Sequence, residues 1–228
     1  MSDLLAIDSS GSACSVALGR GEDVLARHRE APRQQIQMVL PMVDELLAKR
    51  GTTLARLDGI AFGQGPGSFT GIRIALAVAQ GLAMAHELPV VGISSLAALA
   101  QGAHRGSGRE AFLVAQDARM GEVYWGCYQI VDGAALLRGG EQLSAPGGVV
   151  APDACRWWAV GDAWQKYDMA STGIAQPPDP QLLRVPEARD LLLLAERAFA
   201  SGGATTARQA RASYLRDRVV QRPARNHN

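Results

Sequence analysis

Apolar and polar positions alternate in short blocks over the first third of the chain. Residues 4–8 are apolar and stop at Asp8. Ser9, Ser10, Gly11 and Ser12 supply a turn, and apolar alternation resumes over 14–18, so the pattern predicts a β-hairpin with a third strand over 24–30. Residues 34–50 read as a helix: Ile36, Val39, Leu40, Val43, Leu46 and Leu47 recur at the spacing of one helical face, with Met38 and Met42 on another. Lys49, Arg50 and Gly51 suit its C-terminal end, while Pro41 is expected to kink it, at about 3 kcal/mol if unrelieved. A strand over 57–62, a loop over 63–68 and a helix over 71–86 follow, with Ser68 or Thr70 as cap. Ile72, Ile74, Leu76, Val78, Leu82 and Met84 point in nearly every direction around that helix, which predicts burial on all sides, part of it against a partner. A strand over 89–93 and a short Ala-rich helix to Ala100 come next. Residues 102–110, polar and Gly-rich, mark a candidate lobe boundary.

The opening pattern then recurs. Residues 112–116 are apolar and end at Asp117, residues 118–121 form a turn, and 122–130 alternate as a strand. Further strands are expected over 134–138 and 156–161, and a helix over 189–200. Strand, Asp, Gly-containing turn and strand thus occur twice, which suggests an internal duplication. The expected fold is α/β and two-lobed, with mixed sheets and helices, of the duplicated ribonuclease H-like kind seen in actin and the sugar kinases. The lobes are expected at 1–104 and 105–228, with the C-terminal segment returning to the first.

Composition narrows the function. The chain of 228 residues is 47% hydrophobic and carries a net charge of +1, so it is no general electrostatic binder of nucleic acid. Its charge is uneven: from Arg208 onward there are six Arg and one Asp, a local +5 that leaves −4 elsewhere. Cys14, Cys127 and Cys155 are far apart and lack CxxC spacing, which points to reduced thiols and a cytoplasmic setting. The N-terminus has no signal-peptide pattern, and no apolar run is expected to span a bilayer.

Four segments carry a family resemblance. Gly63-Gln64-Gly65-Pro66-Gly67-Ser68-Phe69-Thr70-Gly71-Ile72-Arg73 resembles the GxGPGSFTGxR signature of the TsaB (YeaZ) family. Leu5-Ala6-Ile7-Asp8-Ser9-Ser10, Asp117-Ala118-Arg119-Met120-Gly121-Glu122 and Ser213-Tyr214-Leu215-Arg216 resemble further family segments, so the resemblance runs end to end. It implies a non-catalytic relative of TsaD, the subunit that joins threonylcarbamoyl-adenylate to the adenosine beside the anticodon in tRNAs reading codons that begin with A. It further implies pairing with TsaD, binding of the ATPase TsaE to that pair, self-pairing through the first lobe, and tRNA contact through the complex alone. No cofactor of its own is expected; ATP or ADP would sit at the complex interface.

The residues agree with a loss of catalytic parts. His28, His86, His104 and His227 include no i,i+3 or i,i+4 pair, so no helical metal pair is expected, and Gln35 stands where related chains often have His. HExxH and GxSxG are absent, which argues against a metallopeptidase. A phosphotransferase of this fold would use Asp8 and Asp117, but the turns 9–12 and 118–121 are poor in the glycine that a phosphate cradle needs. Asp8, Ser9, Ser10, Gly65, Gly67, Ser68 and Asp117 remain a candidate anion or degenerate nucleotide site. The glycine loop has two readings: an anion site at a helix N-terminus, or a tight turn with Phe69 as anchor. Arg73, badly placed for the helix dipole, calls for an anionic partner. The candidate partner interface is Ile36, Val39, Met42, Val43 and Leu46 on one helix with Arg73, Leu76, Ala79, Leu82 and Ala83 on the next. The basic tail reads either as a tRNA phosphate contact within the complex or as a solvated end.

Overall fold

The computed structural model describes residues 3–30, 34–152, 156–169, 172, 174 and 185–216. Cys155, Arg218, Arg222, Arg225 and His227 lie outside these. The first sheet holds β1 (Leu4–Asp8), β2 (Ala13–Arg20), β3 (Asp23–Glu30), β4 (Gly59–Gly65) and β5 (Val90–Ser94) in the order β3-β2-β1-β4-β5. The second holds β6 (Ala111–Arg119), β7 (Glu122–Val131), β8 (Ala134–Ser144) and β9 (Trp158–Val160) in the order β8-β7-β6-β9. Each begins with a three-stranded antiparallel meander, and each adds a parallel strand beside the first: β4 on β1, and β9 on β6. The repeat seen in the sequence is therefore a repeat of topology.

Alternation along β1 shows how the layers form. Leu5 and Ile7 join Cys14, Val16 and Leu18 of β2 in a core beneath α1 (Gln35–Arg50) and α2 (Phe69–His86). Leu4 and Ala6 face the opposite core, shared with α3 (Ser95–Ser107), α5 (Ala188–Ala200) and the inner face of the second sheet through Phe112 and Val114. Sheet residues with both faces covered read as unbroken apolar runs, which is why β1 is buried throughout. The outer face of the second sheet covers Leu113, Ala115 and Trp125 with Val149, Trp157 and α4 (Ala163–Lys166).

Three helices differ from expectation. In α1 the buried stripe is Val39, Met42, Val43, Leu46 and Leu47, whereas Ile36 is 63% and Leu40 46% exposed. Met42 therefore belongs to the core face, and the apolar Ile36 and Leu40 do not. Pro41 sits inside an uninterrupted helix on its exposed side, where water can take the carbonyl its ring leaves unbonded. The helix closes at Gly51 (φ 65°), with Thr52 N–H on Leu47 O at 3.1 Å.

Helix α2 starts at Phe69, capped by the Ser68 hydroxyl accepting from Gly71 N–H at 3.3 Å. It is buried on one face only, through Gly71, Ile72, Ala75, Ala79 and Ala83. At 18 residues it is long and apolar enough by length and composition to cross a bilayer, contrary to the sequence expectation. Here its buried face packs on the first sheet.

Helix α3 continues past the expected end at Ala100 to Ser107, into the stretch read as a candidate lobe boundary. Gly102 is a packing position: a Cβ there would lie 2.7 Å from Asp190 Oδ2 of α5. Arg105, one turn later, holds that carboxylate with Nε–Oδ1 at 2.7 Å and Nη2–Oδ2 at 3.0 Å. After α5 the chain stays against the first sheet. Val90 and Thr205 exchange backbone hydrogen bonds at 2.8 Å, and the Ser213 N–H donates to Gln64 O at 2.8 Å.

Candidate functional site

The glycine loop is shaped by the protein's own backbone. Gly65 has φ 103°, and a Cβ there would meet Ser213 O at 2.8 Å. A Cβ on Gly67 would lie 2.5 Å from Ser10 O, and one on Gly71 would run into Ser9 O. The Ser68 N–H donates to Ser10 O at 2.7 Å, and the Ser9 hydroxyl donates to Gly71 O at 2.7 Å. Ser9 and Ser10 are buried. The tight-turn reading of this loop thus accounts for its glycines: they let the start of α2 press against the β1–β2 turn.

Asp8 lies beneath this turn, 1% exposed, and a Cβ on Gly63 would strike its carboxylate. Ser10 N–H and its hydroxyl donate to Asp8 Oδ1 at 3.0 and 2.9 Å. Burial nevertheless dominates and pushes the carboxyl up to about 7. Cys14 nearby is pushed up to about 11, by burial first and then by Asp8.

Between the lobes runs a cleft of about 790 Å³. Ser10, Gly67 and Ser68 line one wall, and Asp117, Asp162 and Lys166 the other; Asp8 is not on its surface. Asp117 is already engaged. Lys166 Nζ lies 2.6 Å from its Oδ2, while the Tyr167 hydroxyl and the Arg119 N–H donate to its Oδ1 at 2.8 Å each. Burial alone would raise this carboxyl, but these donors outweigh it and hold it below the usual carboxylate range. The two sequence-predicted acids are therefore brought to opposite sides of the cleft wall: one sealed beneath it, the other neutralised by a tethered cation.

The predicted partner residues separate by side. Val39, Met42, Val43, Leu46, Ala79 and Ala83 face the sheet and are buried in the core of the first lobe. Leu76 and Leu82 are half-buried, and Ile36 and Arg73 are exposed. Besides Ile36, solvent meets residues outside the predicted set on the same two packed helices: Leu40 of α1, with Ala77, Gly81 and Met84 of α2. Ile74 and Val78 lie half-buried beside them. A Cβ on Gly81 would meet nothing within 4 Å. Arg73 stacks 3.6 Å above the Phe69 ring and donates to the Tyr214 hydroxyl at 3.2 Å, so its partners among the described residues are aromatic and neutral.

The model of the family described as TsaD: tRNA N6-adenosine threonylcarbamoyltransferase matches residues 28–221. The Escherichia coli (strain K12) protein called tRNA threonylcarbamoyladenosine biosynthesis protein TsaB is 40% identical over 227 residues, covering 95% of this chain and 96% of that one. The chain belongs to the TsaB (YeaZ) family. The Haemophilus influenzae TsaB is 50% identical over 123 residues, 54% of this chain and 52% of its own. YeaZ from Pseudomonas aeruginosa superposes with a TM-score of 0.88 at 45% identity, over 94% of this chain and 100% of that chain.

Within this TsaB-family chain, sequence reasoning missed Lys166, Tyr167 and Asp162, which stand 45–50 positions from Asp117 and carry no local signal. It also missed Ala77, Gly81 and Met84, whose exposure depends on which side of α2 meets the sheet. Among the described residues, no group of three or more His, Cys, Asp or Glu side chains is disposed to hold a metal.

Proposed function

We propose that this chain is a non-catalytic partner subunit in the biosynthesis of threonylcarbamoyladenosine in tRNA. It pairs with TsaD, and TsaE acts on that pair; the chain meets tRNA only within the complex. The observation that carries the reading is the open apolar face of α1 and α2. Ile36 and Leu40 near the start of α1 and Met84 near the end of α2 are between 46% and 63% exposed, and the exposed, small Ala77 and Gly81 let another helix approach α2 closely. Exposed apolar side chains on two packed helices of this kind mark a site of association. A second copy of the chain and TsaD would compete for it, giving a four-helix contact in either case.

Family membership supports the pathway, and the state of the two acids supports the lack of chemistry. A stand-alone phosphotransferase would need Asp8 or Asp117 available to a metal-bound phosphate. Asp8 is sealed away, and Asp117 is held by Lys166, Arg119 and Tyr167.

The test is size-exclusion chromatography of this chain mixed with TsaD from the same organism, using Ala77→Arg and Gly81→Arg. Ala79→Arg would not serve, because Ala79 is fully buried and the arginine would disrupt the core. Both exposed substitutions are expected to leave circular dichroism unchanged and to abolish the complex. Retention of the complex by both folded variants would remove this face from the proposal.

A further inference from the structure

Residues 213–216 run across the mouth of the interlobe cleft and hold both walls. On the first-lobe side, Ser213 is bonded to Gln64 by its N–H at 2.8 Å. The Tyr214 ring lies 5.8 Å from Phe69, and its hydroxyl takes the Arg73 Nε–H at 3.2 Å. On the second-lobe side, the Arg216 guanidinium donates to Ala118 O at 3.0 Å, to Arg119 O at 3.4 Å and to Met120 Sδ at 2.9 Å. It also pairs with Glu122 at 2.7 Å. Its side chain is only 13% exposed.

These second-lobe partners lie in the β6–β7 turn or in the strand ends that flank it. There Arg119 and Met120 adopt left-handed φ angles of 64° and 58°. Side-chain-bearing residues persist in that region only where their surroundings over-determine it. Arg216 supplies such surroundings, because its Nη2 reaches two successive carbonyls and the Glu122 carboxylate while its Nη1 reaches Met120 Sδ, a planar two-nitrogen span that holds the turn from several sides. A lysine would keep the charge facing Glu122 but lose the span. At the base of the cleft the lobes are already joined by apolar packing around Phe112 and Val114, and by Ser94 and Tyr128 donating to the Glu141 carboxylate. The cleft itself is lined by a mixture of polar side chains and apolar ones, Phe69, Ile72, Met120 and Leu215 among them, and no buried apolar cluster of the described residues bridges its walls there.

We propose that residues 213–216 are a clasp that fixes the width of the interlobe cleft, with Arg216 as its latch on the second-lobe turn and Tyr214 as its anchor on the first lobe. The clasp couples the glycine loop to the β6–β7 turn, two segments that otherwise meet solvent across the cleft. It stands independently of which partner the α1–α2 face takes.

Amide hydrogen exchange on the full chain tests it, comparing the wild type with Arg216→Ala, Arg216→Lys, Tyr214→Ala and Glu122→Gln. Arg216→Ala and Arg216→Lys are expected to speed exchange about tenfold at two separated places, residues 118–123 and residues 67–71, with β1 and β4 unchanged. Tyr214→Ala, cut on the first-lobe side, is expected to speed exchange at 118–123 on the other lobe. Glu122→Gln is expected to stay near wild type, since the glutamine keeps an acceptor for the guanidinium and the partly exposed Glu122 loses only its charge. The clasp is overturned if acceleration stays on the lobe that was cut, if neither segment responds, or if Glu122→Gln alone reproduces Arg216→Ala. Should Arg216→Ala loosen β1 and β4 as well, Arg216→Lys and Tyr214→Ala still decide by the same cross-lobe readout.

Discussion

The backbone N–H of Ser68 donates to the carbonyl of Ser10 at 2.7 Å, so the residue that caps α2 is bolted to the turn that follows β1. An N–H committed in this way is not offered to a phosphate. The same contact explains Gly67, whose Cβ would lie 2.5 Å from that carbonyl, and places the loop's chemistry in the fold.

Two glycines of α2 should respond to the same substitution with opposite sign. Gly71→Ala drives a methyl into Ser9 O and is expected to cost about 1–3 kcal/mol, seen as a melting temperature several degrees lower. Gly81→Ala meets nothing within 4 Å and is expected to stabilise the isolated chain by about 0.5–1 kcal/mol, through helix propensity. Thermal denaturation of the two variants side by side checks both signs.

Arg105 and Asp190 form the ion pair that joins α3 to α5. Asp190 is 3% exposed, and burial pushes its carboxyl upward against the opposing pull of Arg105. Arg105→Ala would strand that carboxylate and is expected to destabilise the fold by about 3–5 kcal/mol. A double replacement, Arg105→Met with Asp190→Leu, is expected to recover most of this loss in urea denaturation.

Asp8 gives the protein a pH signature. Its carboxyl ordinarily titrates near 3.8 and is raised to about 7 in the folded chain. Between those values the folded state holds a proton that the unfolded chain has released. Stability from this group is therefore complete below about pH 4 and is lost as pH rises toward 7, by up to roughly 1.4 kcal/mol per pH unit. Asp8→Asn keeps an acceptor for Ser10 without the charge. Its melting temperature is expected to exceed that of the wild type at pH 8 by more than it does at pH 5.

Much of this was legible in the sequence, and the failures share a cause. The strand-and-turn patterns at Asp8 and Asp117 and the glycine loop stand out because their residue types are demanding locally, whereas the Ser-Tyr-Leu-Arg segment is legible only through the family resemblance. What periodicity could not give was rotation. Ile36 and Leu40 share a stripe with Val39 and Val43, yet they face solvent, because the sheet selects one arc of an apolar helix and leaves the rest open. The sequence ends α3 at Ala100, seven residues early, because Gly102 weakens helix propensity locally, while its reason for being glycine is Asp190, 88 positions away. Lys166 was invisible for the same reason: its meaning comes from Asp117 across the second lobe.

The most direct test of the account is reconstituted tRNA threonylcarbamoylation with TsaD, TsaE and a supply of threonylcarbamoyl-adenylate, with and without this chain and with its Gly81→Arg variant. The account predicts modified tRNA when the wild-type chain is present, and little or none when it is omitted or replaced by the folded variant. Equal modification without the chain, or modification by the chain in the absence of TsaD, would contradict it.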